Sequence, residues 1–378
     1  MTTASPACPL LARLRDPACR DRRLAPRQVA ALLRLRGAER AALFAAADGL
    51  RREVFGDAVH LRGIIEFSNR CRHRCEYCGI RFGRRLRRYR MPAREIAAQA
   101  RRARGWGCHT VVLQSGADPW YTAGRLAALV RRVKAAGVEA VTLSVGVRPL
   151  AELRALAAAG CDRYLLRFET ADRALFRRIH PDETFARRVK CLRDLRRAGI
   201  QAGSGFMIGL PGATPASLAR DILFATSLDL DMIGCGPFLP HPGTPLAGAG
   251  GLDDPETAIA VIAILRLLNP RAHIPATTAF DALLPDGRDH VLQAGANVFM
   301  PNITPARYRR LYQLYPNKPC VDEEGAACAL CARGRLARLG RTVAAGPGHA
   351  LRRAGIDAGR RLCCHRPAPG GIATGGRP

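Results

Sequence analysis

Apolar positions along the chain change period near Arg62. Before that point, residues 1–56 read as helical, with leucine and alanine recurring at helical spacing between Pro26 and Leu43. After it, short apolar runs alternate with amphipathic stretches. The runs at 64–68, 110–114, 140–144, 163–168, 202–208, 232–235, 274–278 and 297–300 predict strands. Between them the spacing predicts helices over 93–103, 124–136, 150–158, 186–198, 215–227, 255–268 and 288–294. Gly137, Gly160 and Gly199 stand where helix C-caps are expected. Strict alternation implies parallel strands joined by right-handed crossovers. Eight such units in residues 57–304 predict an α/β fold of the TIM-type (β/α)8 barrel class. An open sheet is the alternative, because periodicity does not count closure.

After residue 304 the pattern breaks. Residues 305–345 form a C-terminal extension with Tyr308, Tyr312, Tyr315 and a cysteine trio. Residues 346–378 form a basic tail with Pro347, Pro367, Pro369 and Pro378, expected to be mobile. The best apolar run, 258–268, is far shorter than the roughly 18 residues of a membrane span and contains Arg266. Met1-Thr2-Thr3-Ala4-Ser5-Pro6 has no basic lead-in to an apolar stretch, so no signal peptide is expected. A cytoplasmic protein without a membrane span is the expectation.

Composition changes the picture in two ways. The chain of 378 residues is 48% hydrophobic and 24% charged, which excludes wholesale disorder. Its net charge of +29 suggests a nucleic-acid partner. Yet all 60 basic residues except Lys134, Lys190 and Lys318 are arginine, spread along the chain without interleaved aromatics. That fits a coding bias at least as well as phosphate binding, and no specific nucleic-acid partner is expected.

Fourteen cysteines are many for a reducing compartment, and their placement is not that of a disulfide framework. The sharpest signal is Cys71-Arg72-His73-Arg74-Cys75-Glu76-Tyr77-Cys78, directly after the first predicted strand. Three thiolates at this spacing suit three irons of a 4Fe-4S cubane, leaving the fourth iron open to a small molecule. Structural zinc needs a fourth ligand, and His73 is boxed between two of the cysteines. Zinc and unliganded thiols remain the alternatives. Cys320, Cys328 and Cys331 make a second trio, readable as a further iron–sulfur site, as zinc or as empty thiols. Cys8, Cys19, Cys108, Cys161, Cys191, Cys235, Cys363 and Cys364 have no ligand spacing and read mainly as small hydrophobes.

A C-x3-C-x2-C loop after the first strand of a βα barrel resembles the radical SAM superfamily. Ile65-Glu66-Phe67-Ser68-Asn69, Tyr164-Leu165-Leu166-Arg167, Gly209-Leu210-Pro211-Gly212, Gly236-Pro237-Phe238-Leu239-Pro240-His241-Pro242, Ile274-Pro275-Ala276-Thr277-Thr278 and Tyr312-Gln313-Leu314-Tyr315-Pro316 narrow the likeness. Together they resemble the HydE family, whose members help build the active-site cluster of FeFe-hydrogenases. Methylornithine synthase and biotin synthase are more distant relatives. The likeness covers roughly residues 25–345.

The resemblance implies a 4Fe-4S cluster on Cys71, Cys75 and Cys78 that binds S-adenosyl-L-methionine (SAM) and cleaves it reductively to a 5′-deoxyadenosyl radical. That radical would act on an iron–carbonyl–cyanide–cysteine precursor. It also implies other hydrogenase maturases as partners, an electron donor such as a flavodoxin or ferredoxin, and an accessory cluster on the second trio. At matching positions, Tyr77, Met207 and Ile208 would line the adenine, Ser115 and Gly116 hold the methionyl amine, Glu169 bind the ribose hydroxyls and Arg188 pair with the SAM carboxylate. Ser144 would face substrate. Arg163, Arg167, Thr277, Thr278 and Met300 read as an inner lining for an anionic substrate, or else the arginines are salt-bridged within the barrel. The sequence departs from the family at Ala117, where an acidic residue is usual and Asp118 is the nearest substitute, and at Phe168, often histidine. Rival functions are rearrangement of a small amino acid by the same chemistry, an iron–sulfur carrier, and an RNA-binding scaffold.

Overall fold

Helical patterning before Gly56 becomes three helices, Ala7–Arg15, Pro26–Leu33 and Gly37–Phe55, in a computed structural model that describes residues 7–16 and 22–351. The periodic run expected through Leu43 is broken at Gly37, whose φ of +51° lies in the left-handed region. All three of these helices pack on helix Glu256–Leu268, which is why that helix is apolar on every side. Arg266 within it is fully buried and, among the described residues, has no carboxylate partner. It donates instead to the carbonyls of Gly295, Pro270 and Ala272 at 2.7–2.9 Å and to Asn297 Oδ1 at 3.0 Å. Burial lowers its pKa to about 9.

The strands are β1 (Ala58–Ser68), β2 (Thr110–Ser115), β3 (Ala140–Ser144), β4 (Arg163–Leu165), β5 (Gln201–Ser204), β6 (Met207–Ile208), β7 (Met232–Ile233), β8 (Gly236–Pro237), β9 (Pro275–Ala276), β10 (Val298–Phe299) and β11 (Thr342–Val343). Eight of them pair in parallel in the order β7-β5-β4-β3-β2-β1-β10-β9. A parallel bridge between Met232 and His273 brings the two ends together, with Ile233 N donating to His273 O at 2.9 Å and His273 N to Asp231 O at 3.0 Å. The expected (β/α)8 barrel is therefore what forms. Beyond the wall, β6 and β8 pair at the mouth, and β11 adds to the base of β1. Among the described residues no helix is long and apolar enough to cross a membrane.

The tail expected to be mobile from residue 346 is anchored at its start. Thr110 Oγ1 donates to Pro347 O at 3.0 Å, Arg163 Nη2 donates to Pro347 O and Gly348 O at 2.8 and 2.7 Å, and Arg62 Nη2 reaches Gly348 O at 3.2 Å. Residues 346–349 thus close the amino-terminal end of the barrel. Their carbonyls give the buried Arg62 and Arg163 hydrogen-bond acceptors. Residues 352–378, with Cys363 and Cys364, lie outside the described residues, as do Cys19 and the Cys8 side chain.

Candidate active site

Because the barrel strands are parallel, their carboxyl ends share one mouth, and the loop after β1 carries Cys71, Cys75 and Cys78 there. Side chains hold this loop in place of regular structure. Ser68 Oγ donates to Asp118 Oδ2 at 2.8 Å, and Arg88 donates to the carbonyls of Asn69, Ile80 and Arg81 at 2.6–2.7 Å. Gly116, just past β2, permits a close approach: a Cβ there would run into Arg70 O and stand 2.7 Å from Cys71 Cβ. Ala117 O accepts the Arg72 amide beside it at 3.1 Å. Gly79 plays the same part on the far side, against Gln313 O and the His241 ring, so motifs distant in sequence meet on one loop.

The three thiols are half-buried. Burial, reinforced by neighbouring thiols, pushes Cys75 well up and Cys78 up to about 12, so ionisation waits on an attached cationic centre. Among the described residues, no three His, Cys, Asp or Glu side chains converge on a single metal-ion point.

Around the loop stand groups whose polar atoms lack partners. Glu169 follows β4 with φ +66°, a conformation uncommon for a non-glycine residue, held by Glu169 N to Gly205 O at 3.1 Å and Met207 N to Glu169 O at 3.0 Å. Asp221 braces the next turn, accepting Ala171 N at 2.5 Å and Thr170 Oγ1 at 3.1 Å; burial raises its pKa to about 7. Arg188 lies on helix Phe185–Arg197 and is paired with Glu183, a partner the sequence did not reveal, while its Nη1 donates to Arg167 O at 2.8 Å. Burial opposes the Arg188 charge, but Glu183, with Tyr77 and Glu169, outweighs it and holds the pKa above its ordinary value. Arg167 Nε and Nη2, Glu169 Oε2, Glu183 Oε1 and Arg188 Nε are buried without hydrogen-bond partners, although Arg167 Nη2 lies 3.1 Å from Glu169 Oε2. Such orphans are rare in folded proteins. Here both signs collect beside Cys75 and Tyr77, a donor set that fits a zwitterion with a diol, as SAM presents.

Tyr77 and Met207 meet in one apolar cluster with Leu175, Ile179, Leu210 and Phe238. Ile208 points the other way and packs in the main core, so its side chain does not line the mouth as expected. Ser115 Oγ turns onto Gly116 O at 2.7 Å. Asp118 is not free to replace the acidic residue missing at Ala117. Its carboxylate already takes Ser68 Oγ, two nitrogens of Arg90 at 2.7 and 2.9 Å, and the Trp120 amide at 3.1 Å. Phe168 is fully buried and packs against Phe206 and Phe224, beneath helix Pro215–Ser227.

Ser144, Arg167, Thr277, Thr278 and Met300 all fall at or just past strand carboxyl ends, on the cysteine side. Thr277 Oγ1 donates to Cys235 O at 3.1 Å, and Thr278 Oγ1 is bonded to the Tyr315 hydroxyl. Arg163 does not join them. It begins β4, and its guanidinium serves Pro347 O, Gly348 O and Thr110 at the opposite end of the barrel. The expected inner arginine pair is thus one arginine at the mouth and one at the base.

Sequence reasoning also missed His180, whose Nδ1 lies 3.3 Å from Cys75 Sγ and whose Nε2 lies 3.2 Å from the Tyr77 hydroxyl. No spacing signal marks it, because it is a helix-end residue a hundred positions from the cysteines. Glu66, inside the first of the family-like motifs, has a role that the sequence does not reveal. It is buried, paired with Lys318 of the extension, and accepts Asn302 Nδ2 at 3.0 Å.

In the extension, Cys320 and Cys328 come into thiol contact, while Cys331, one turn further along helix Gly325–Arg338, is exposed. The Cys320 thiol and Arg309, whose Nη1 is 3.1 Å from Cys328 Sγ, draw the Cys328 pKa down despite burial. The same guanidinium donates to Asn302 O and Thr304 O, both at 2.7 Å, joining the trio to the barrel.

The Radical SAM superfamily model matches residues 65–225. Over 301 residues the chain is 48% identical to the FeFe-hydrogenase maturase subunit HydE of Thermotoga maritima, covering 79% of this chain and 86% of that protein. It is 30% identical to 3-methylornithine synthase of Methanosarcina barkeri over 70% of this chain and 75% of that one. The crystal structure of methylornithine synthase superposes with a TM-score of 0.78 at 27% identity, covering 89% of this chain and 97% of that one.

Proposed function

The chain belongs to the radical SAM superfamily and, within it, to the HydE-type FeFe-hydrogenase maturases, and from that premise we propose how its mouth is used. It is a radical SAM enzyme, and its cofactors are a 4Fe-4S cluster and SAM. One observation carries the reading of the site: the cysteine loop is pressed against Gly116–Ala117, beside buried, unpartnered atoms of Glu169, Glu183, Arg167 and Arg188.

Cys71, Cys75 and Cys78 hold the cluster. When bound and reduced, that cluster supplies the electron that cleaves SAM to a 5′-deoxyadenosyl radical. Arg188 takes the SAM carboxylate through its free Nε, with Glu183 fixing the guanidinium. Glu169 accepts the ribose hydroxyls from its held left-handed turn. Tyr77 and Met207 cover the adenine, and His180 locks the Tyr77 hydroxyl in place. The backbone at Ser115 and Gly116 receives the methionyl amine, so the role falls to carbonyls where Ala117 offers no carboxylate.

Substrate is bound deeper, against Ser144, Arg167, Thr277, Thr278 and Met300. We assign it as an iron–carbonyl–cyanide–cysteine complex made by a partner maturase, attacked at the cysteine sulfur. Arg167 supplies positive charge for a carboxylate or cyanide-bearing anion, and the threonine hydroxyls, already bonded to Cys235 O and the Tyr315 hydroxyl, offer oxygen lone pairs. The second trio is read as an accessory iron–sulfur site rather than part of the mouth. The test is in vitro maturation of an apo-hydrogenase with the other maturases present. Hydrogen evolution should require this protein and be lost with Cys75→Ser. Equal activation without it would overturn the assignment.

A further inference from the structure

The segment from Arg70 to Arg90 holds nine arginines and one acidic residue, Glu76. They divide by direction. Arg81, Arg84, Arg88 and Arg90 turn inward: Arg81 donates to Cys75 O and Arg74 O at 3.1 and 2.9 Å, Arg84 to Gly79 O at 2.5 Å, Arg88 to three loop carbonyls, and Arg90 to Asp118. These four knit the cysteine loop. The side chains of Arg70, Arg72, Arg85 and Arg87 point outward, exposed, and among the described residues they make no hydrogen bond or ion pair.

Phe82 stands on the same loop. It is 56% exposed, against 43% for Trp120, the other large aromatic left open. Its amide donates to His73 O at 2.8 Å, and the Arg81 amide beside it donates to Cys78 O at 3.0 Å. The phenyl ring is therefore one hydrogen-bonded layer from the cysteine ligands. Like charges on neighbouring exposed arginines repel, and an open phenyl ring gains nothing from water. Both costs are relieved by a partner that buries the ring and brings negative charge to its rim. An exposed aromatic on a segment rich in exposed arginine has the composition of a protein interface.

We propose that the outer face of this segment, with Phe82 and the exposed Arg70, Arg72, Arg85 and Arg87, is the docking surface for a small acidic electron-transfer protein that reduces the cluster. The proposal rests on the radical SAM reading, which needs one electron delivered from outside at each reductive cleavage. The occupant follows from charge and place. The surface is basic, so the partner's face is acidic, and the covered loop is the one that carries the cluster ligands. One electron leaves the partner's reduced cofactor and enters the cluster, with no bond made to the protein.

The test compares two reductants on the reconstituted, cluster-loaded protein, an acidic flavodoxin in its fully reduced form and dithionite. The variants are Phe82→Ala and the pair Arg85→Glu with Arg87→Glu, all outside the ligand and SAM residues. Reversing two rim charges should slow flavodoxin-driven cluster reduction at low salt by about tenfold or more, a gap that narrows near about 0.5 M salt. Phe82→Ala should slow it at both salt concentrations. Dithionite-driven reduction and iron content should match wild type in each. Flavodoxin rates equal to wild type in both variants would overturn the proposal. So would rates that stay equal while binding of a poly-uridine oligonucleotide falls, since the face would then serve RNA. If wild type itself gives no SAM cleavage with dithionite, the radical SAM reading fails first, and that result is distinct from either.

Discussion

Arg188→Ala removes two things at once, and the structure separates them. The first is the proposed anchor for the SAM carboxylate, a charge-assisted pair worth roughly 1.5–3 kcal/mol, or about one to two decades in affinity. The second is the partner of Glu183, whose side chain is only 3% exposed. Stranding a buried carboxylate costs about 3–5 kcal/mol of stability. The single variant should therefore bind SAM weakly and also melt early. Adding Glu183→Gln removes the stranded charge, so Arg188→Ala with Glu183→Gln should regain most of the stability and none of the SAM affinity. Glu183→Gln alone loosens the guanidinium but keeps its charge, so it should weaken SAM binding less than Arg188→Ala does. SAM titrated against the reduced cluster by EPR reads affinity, and urea unfolding of the same samples reads stability. Recovery of SAM affinity in the double variant would refute the assignment of Arg188 as the anchor.

Three other outcomes follow from the packing. Lys318→Met strands Glu66, which is about as buried as its partner, and should cost about 3–5 kcal/mol in urea unfolding, whereas adding Glu66→Leu should restore most of it; no difference between single and double would show that the pair is not what matters. Gly116→Ala forces the Arg70 carbonyl and Cys71 to move, a backbone shift costing about 1–3 kcal/mol, and should lower iron loading after reconstitution; normal loading would show that the loop has slack. Burial, with Arg62 and Arg163 nearby, lowers the His60 pKa from 6.5 to about 4. Between those values the unfolded chain takes up a proton that the folded protein refuses, so stability falls as pH drops from about 6.5 to about 4, by roughly 2–3 kcal/mol. His60→Asn should make the pH dependence of the urea midpoint shallower over that window, and an unchanged slope would contradict it.

What could be read from the sequence depended on whether the signal was local. The barrel was legible because each strand and helix carries its own period, and the cysteine loop because its ligands are neighbours in the chain. Arg163 was misplaced because a strand's apolar run does not say which of its ends a polar flank serves; it starts β4, and the carbonyls that satisfy it belong to residues 347 and 348. The composition of that segment suggested mobility, while its start is held by the buried Arg62 and Arg163, which donate to its carbonyls. Ile208 was paired with Met207, yet neighbours on an extended segment face opposite ways. Helix Arg173–Ile179 escaped notice since seven residues give two turns and no resolvable period, its start being set by the Asp172 side chain accepting two amides at 3.0 Å. Glu183 and His180 act through contacts that no spacing rule encodes.

The central claim is that the loop of Cys71, Cys75 and Cys78 holds a cluster that cleaves SAM reductively. The measurement that meets it most directly is 5′-deoxyadenosine formed from SAM by the anaerobically reconstituted protein under dithionite, beside the variant with all three cysteines changed to serine. The wild-type protein should form 5′-deoxyadenosine, and its reduced-cluster EPR signal should change when SAM is added. The triple variant should do neither. A triple variant that still forms 5′-deoxyadenosine, with a SAM-responsive EPR signal, would place the chemistry elsewhere and contradict the account.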